Sequence, residues 1–292
     1  MKIIAIVLSV FISGSISAQE YTFKVLISKG QNEIKAGDAW LPVKVGASLR
    51  SADALMISQN GYIGLVHVSG KPLEVKEAGE HKVSELAAKI KEGSSVLNQY
   101  TDFILSTNND ERNNLIATGA VHRGLNEIKV FLPKAQHSIF FNNEIAIAWS
   151  SLPETNTYVV SFSSMFGDVL DKLEVQDTTI LIDLNTRKFV KEDNILVKVT
   201  SKSEPNKGSD PMVLKKLSPA DKKRINASLS EIAEQTREAT ALNQLFLASF
   251  YESHSLFIDA STAYQKAIKL APNIPQFRIS YNDFIDRNGL KN

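Results

Sequence analysis

Up to residue 217 the apolar residues fall chiefly in short runs with a two-residue period, and from Ser218 they recur every three or four residues. A two-residue period puts side chains on alternate faces of a strand, whereas the longer period lines one face of a helix. The two patterns cannot share one sheet or one bundle, so the chain is expected to be a multidomain β plus α protein. Its 292 residues are enough for two or three domains.

The β-patterned part divides in two. From Tyr21 to Val75 the runs are Tyr21 to Ser28, Leu49, Ala54 to Ser58 and Tyr62 to Val68. They are separated by Lys29-Gly30, Ala36-Gly37-Asp38, Gln59-Asn60-Gly61 and Ser69-Gly70-Lys71-Pro72. From Glu127 to Leu217 come about seven more: Ile128 to Leu132, Glu144 to Trp149, Tyr158 to Ser163, Val169 to Val175, Thr179 to Leu184, Ile195 to Thr200 and Met212 to Leu214. Between them, Val83, Leu86, Ala87 and Ile90 take helical spacing with Ser84 as a cap, and Leu97 to Ser106 continues as helix. Asn108 to Asn114 reads as a polar linker. After residue 217, Ser218-Pro219 places a capping hydroxyl and a first-turn proline in the favoured order, followed by an apolar stripe of Ile225, Leu229, Ile232 and Ala233.

The N-terminus carries its own signal. Lys2 precedes an apolar run from Ile3 to Ile12 and then small residues through Ser17 and Ala18, the order of a secretory signal peptide. Cleavage after Ala18 leaves a chain starting near Gln19; retention as an anchor is the alternative, although the run is shorter than the roughly 20 residues a bilayer core requires. No later segment is apolar enough to span. With no cysteine in the chain, disulfides, thiolate metal sites, cysteine nucleophiles and lipid-modified cysteine are excluded. A cysteine-free exported chain points to a bacterial envelope, with the periplasm as the expected compartment.

Three stretches resemble known families. Val25, Trp40-Leu41-Pro42, Val45-Gly46-Ala47-Ser48-Leu49, Ala52-Asp53, Leu55 to Ile57, Gly61 and Ile63 to Val68 follow the outline of the FecR-type periplasmic domain, over about a quarter of the chain. That resemblance implies an exported β module over residues 19–80, and a membrane-anchored, signal-sensing regulator as one alternative function. Trp149 before Ser-Ser-Leu-Pro153, with Tyr158 on the next strand, is similar to the fibronectin type III and immunoglobulin-like sandwiches, which implies a sandwich over residues 126–217. Residues 81–125 become a helical linker. Leu247, Ala248, Tyr251, Ala260, Tyr264, Ala267 and Pro272 resemble one tetratricopeptide repeat between Ala241 and Ile274, within a helical unit spanning residues 218–292. A single repeat needs capping by the helices on either side, or by a partner.

Chemistry is sparse. The histidines at 67, 81, 122, 137 and 254 lack the close spacing of a helical metal site. No Gly-x-Ser-x-Gly elbow occurs, and the carboxylate pairs Asp110-Glu111 and Glu192-Asp193 lie in polar, turn-like settings. Gly64 to Pro72 only approaches a phosphate loop, because its glycine spacing is one too long and Pro72 replaces the hydroxyl residue; it reads as a hairpin turn. Lys215-Lys216 and Lys222-Lys-Arg224 read as a solvated face. Charges of 33 Lys+Arg against 32 Asp+Glu create no field for nucleic acid.

The expectation is therefore a non-enzymatic binding or scaffold protein with no cofactor or metal, whose partner is another envelope protein or peptide. The repeat pattern places Leu242, Leu245, Ser249, Glu252 and Ser253 toward a groove, with the two leucines as anchors; the competing reading packs both leucines against the preceding helix. Phe140 and Phe141, taken as exposed on a sandwich, suggest a polysaccharide-binding protein instead.

Overall fold

The structure, a computed structural model, describes residues 21–90, 97–107 and 127–291. The expected signal segment, the Asn108 to Asn114 linker, Asp110-Glu111 and His122 lie outside the described residues.

The chain is a mixed β plus α protein in which helices fill the space between two β modules. The first module holds β1 (Phe23–Lys29), β2 (Glu33–Ala36), β3 (Ala39–Pro42), β4 (Ser48–Leu49), β5 (Ala54–Ile57), β6 (Tyr62–His67), β7 (Pro72–Val75) and β8 (Gly79–Lys82). They form two antiparallel four-stranded sheets, in the orders β4-β1-β6-β7 and β3-β2-β5-β8. Phe23, Val25, Ile63 and Leu65 of one sheet meet Leu55 and Ile57 of the other in the first core. The Gly64 to Pro72 segment is the β6–β7 hairpin, as its turn residues imply. Helix α1 (Val83–Ala88) closes this core with Val83 and Leu86. It begins directly from β8 with Lys82 as the flanking residue. Ser84 lies inside the first turn, so the expected serine cap is corrected: no side chain caps this helix.

The second module holds β9 (Ile139–Phe140), β10 (Glu144–Ala148), β11 (Tyr158–Ser163), β12 (Val169–Val175), β13 (Thr179–Asp183), β14 (Asn194–Ser201) and β15 (Met212–Lys216). The pair β10-β13 and the five-stranded sheet β12-β11-β14-β15-β9 enclose the second core, where Trp149 meets Tyr158 edge-on with ring centroids 5.6 Å apart. Ile128, Val130 and Leu132 alternate inward as expected. They form no strand, however: one bridge joins Val130 to Trp149, and Pro133, which has no N–H to donate, ends the pairing.

Five helices make the middle layer: α2 (Asn98–Thr107), α3 (Pro219–Ser230), α4 (Ala241–Ser253), α5 (Phe257–Leu270) and α6 (Pro275–Arg287). Ser218 caps α3, its Oγ accepting from the Asp221 N–H at 3.1 Å, and Thr240 caps α4 in the same way through Asn243. Ala248 of α4 and Ala260 of α5 are fully buried, and Tyr264 packs on Tyr281 and Phe284 of α6.

This layer shares one continuous core with both modules. Leu26, Ile27, Tyr62 and Val66 enter it from the first module, Phe141 and Ala148 from the second. A register irregularity between Val25 and Ile27 of β1 lets one strand serve two cores, a standard use of a bulge. Polar contacts fix each junction. The Leu242 N–H donates to Glu74 Oε1 at 2.7 Å, and Gln276 Nε2 to the Ser28 carbonyl at 3.3 Å. On the other side Asp259 accepts from the Phe141 N–H, the Asn142 N–H and Asn142 Nδ2, each at 2.8 Å, while the Ala146 N–H donates to Thr262 Oγ1 at 2.9 Å. Asp259 is 1% exposed, and burial pushes its carboxyl up to about 6 against the opposing effect of these N–H donors.

Phe140 and Phe141 are buried, at 2% and 5% exposure, in the second core and the helical core respectively. Neither ring forms the exposed aromatic surface on which the polysaccharide reading rested.

Candidate functional site

A cleft of about 670 Å³ opens where α2, α3, α4 and the end of α6 meet. Helix α4 supplies Ser249, Phe250, Glu252 and Ser253; α2 brings Tyr100 and Phe103; Glu231 follows α3; and His254 and Phe257 flank the α4–α5 turn. Tyr100 and Phe250 meet edge-on at 6.2 Å, and the His254 ring lies 4.4 Å from Phe250. The result is an aromatic floor under a polar rim.

The rim is held by a clamp centred on Glu252, whose side chain is 9% exposed. Arg287 grips it with both arms of its fork, Nε to Oε1 at 2.7 Å and Nη2 to Oε2 at 2.8 Å, and Asn288 Nδ2 donates to Oε1 at 2.8 Å. Asp283 takes the third side of the guanidinium, which lies 5.2 Å over the Phe103 ring. Burial works against the Arg287 charge. The Glu252 hydrogen bond and the neighbouring negative charges outweigh it and raise the pKa above its ordinary value. Tyr100 is also raised, mainly by burial. A planar two-armed pair of this kind fixes both side chains more firmly than a lysine could.

The adjacent Ser253 and His254 do not form a nucleophile and base. His254 Nδ1 is 2.8 Å from the Phe250 carbonyl, which can only accept, so Nδ1 carries the proton. Ser253 Oγ donates to the same carbonyl at 2.7 Å. The Ser253–His254 contact of 3.1 Å therefore offers the serine no proton acceptor, and Nε2 is the ring's accepting nitrogen. Among the described residues no three His, Asp or Glu side chains are placed to hold a metal ion, and no helix is long and apolar enough to cross a membrane.

The five residues nominated from the sequence separate into two sets. Ser249, Glu252 and Ser253 line the cleft. Leu242 and Leu245 do not: they are 0% and 1% exposed, inside the helical core. A Cβ built on Gly64 would lie 3.3 Å from Leu242 Cδ1, so this leucine rests on the floor of β6. The expectation of exposed leucine anchors is thereby corrected, and the first β module contributes to the surface that covers Leu242. Ser249 is itself 1% exposed and spends its hydroxyl on the Leu245 carbonyl at 3.0 Å. Tyr100, Phe103 and Asn288 were not nominated. They come from segments far away in sequence, and nothing in their local pattern marks them.

No protein-family model matches the sequence, and no curated protein matches it either.

Proposed function

We propose that this chain is an exported, non-enzymatic binding or scaffold protein of a bacterial envelope, and that it takes a peptide segment of another envelope protein into the cleft at Ser249, Glu252 and Ser253. In this reading the first module is FecR-like, the second is a fibronectin-like sandwich, and α4–α5 is a tetratricopeptide-like hairpin capped by its neighbours. The observation that carries it is the aromatic-floored cleft with a rim fixed in advance by the Arg287–Glu252 fork. A preformed concavity whose rim is already fixed loses little freedom when a chain segment enters it. The hydrogen-bond pattern at Ser253 and His254 supports binding over acyl transfer.

The test is site-specific photocrosslinking in intact cells. A photoreactive amino acid replacing Ser253, which is exposed on the rim, is expected to give a discrete adduct with another envelope protein. Phe103→Asp, which removes part of the aromatic floor, is expected to abolish that adduct. No adduct, or one that survives Phe103→Asp, would sink the reading. Fractionation with N-terminal sequencing addresses export separately: a soluble periplasmic species starting near Gln19 is expected, and a membrane species retaining residues 1–18 would favour an anchored sensor.

A further inference from the structure

A second concavity, of about 630 Å³, lies on the other side of the helical layer, between the β10–β13 pair and helices α5 and α6. Its origin can be followed residue by residue. Antiparallel pairing sets Ala146 opposite Leu181 and Ala148 opposite Thr179. Strand alternation sends Ile145, Ile147 and Ile182 into the second core and turns the first four toward the helices. Ala146 and Ala148 are themselves buried where α5 lies on β10, and the cleft opens beside them, where Phe131, Leu181 and Ile268 stay partly exposed.

The helical wall is cationic. Lys266, Lys269 and Arg278 line it, and Asp177, on the opposite wall, is the lone acidic residue of the lining. Lys266 is engaged by Glu144 at 2.5 Å. Lys269 and Arg278 are exposed, and neither has an ion-pair partner among the described residues. A lysine on a helix face is ordinarily just solvated. Here two unpaired cations from different helices stand above an apolar floor that includes Leu181, which is 43% exposed. Apolar floor, cationic rim and a volume inside the roughly 300–1,000 Å³ range of small-ligand sites together specify a ligand with an apolar body and an anionic head.

We propose that this cleft binds a small amphiphilic anion, an acyl or aryl carboxylate or sulfonate, with its apolar part over Phe131, Leu181 and Ile268 and its head group between Lys269 and Arg278. The site lies apart from the peptide cleft and does not depend on that reading.

Calorimetric titration of the full chain with decanoate, below the concentration at which it forms micelles, tests the proposal. Saturable one-to-one binding is expected, and none with decylammonium, which has the same tail and the opposite charge. Lys269→Gln combined with Arg278→Gln should weaken decanoate by about tenfold or more, as expected for the loss of charge-assisted contacts. Leu181→Ser should weaken it as well. All three side chains are exposed, so the fold is expected to survive, and an unchanged circular dichroism spectrum verifies that. An absence of saturable decanoate binding, equal affinity for decylammonium, or a double variant that binds like the parent would overturn the proposal.

Discussion

Leu242 and Gly64 should be energetically coupled, and a double-mutant cycle measures the coupling. Leu242 is fully buried, and its Cδ1 is the atom that a Cβ on Gly64 would meet first, in a strand buried along nearly its whole length. Leu242→Ala removes three carbons from a fully buried site where Gly64 contributes only backbone. The cost should therefore sit toward the upper part of the range for such truncations, about 4 kcal/mol. Gly64→Ala works in the opposite sense. The new methyl would stand 3.3 Å from Leu242 Cδ1 and 3.4 Å from Ile27 Cβ, a tight fit against packed neighbours that should cost about 1–2 kcal/mol. In the double variant the alanine at 64 grows into the space vacated at 242. Its destabilisation should then fall short of the sum of the singles by about 1–2 kcal/mol. Guanidinium unfolding followed by the helical circular dichroism signal gives the four free energies. Additivity within about 0.5 kcal/mol would refute the contact. A Leu242→Ala chain of unchanged stability that lost partner capture would restore the leucine as an external anchor.

That contact also shows where the sequence was legible. Strands β11 and β12 fall at the residues expected from alternation, Tyr158–Ser163 and Val169–Val175, because β11 alternates buried and half-buried residues along its length. Strands β6 and β10 are different. Tyr62 to Val66 and Ile145 to Trp149 are apolar almost without interruption, which is what burial on both faces requires, and the helices are what cover their second faces. The sequence thus held a sign that the sheets are roofed, but not by what. Strand β9 gave no such sign: two residues paired in parallel with Lys215 and Lys216, more than seventy positions away, leave no local period to read.

Helix α4 holds the sharper lesson. Leu242, Leu245, Phe246, Ala248 and Phe250 face several directions around its axis, and a helix apolar on all sides is a buried one. The repeat pattern assigned one of those sides to a groove, whereas the composition of the helix itself assigned it to a core. The residues that do reach the cleft, Ser249, Glu252 and Ser253, are the polar minority of the same helix. Its other half could not be anticipated, because Tyr100 and Phe103 arrive from α2, on the far side of the second β module in sequence.

Two further outcomes follow from single residues. Ser218→Ala should cost about 1 kcal/mol in thermal or denaturant unfolding, because the Asp221 N–H loses its acceptor at the start of α3; no change would mean that water replaces the cap fully. Asp259 should make stability pH-dependent. Its folded value of about 6 lies above the ordinary 3.8, so between about pH 4 and 6 the folded chain holds more of this proton than the unfolded chain. Stability from this group therefore falls as pH rises through that window and is level above it. Going from pH 7 to pH 5, the parent should gain about 1 kcal/mol relative to Asp259→Asn, which carries no proton to exchange and cancels the contribution of every other group. Urea midpoints of the two proteins at pH 5, 6 and 7 give the difference. If the parent instead loses ground on acidification, the three N–H donors from Phe141 and Asn142 outweigh burial, and the latch between α5 and the second module is held by an anion that resists protonation.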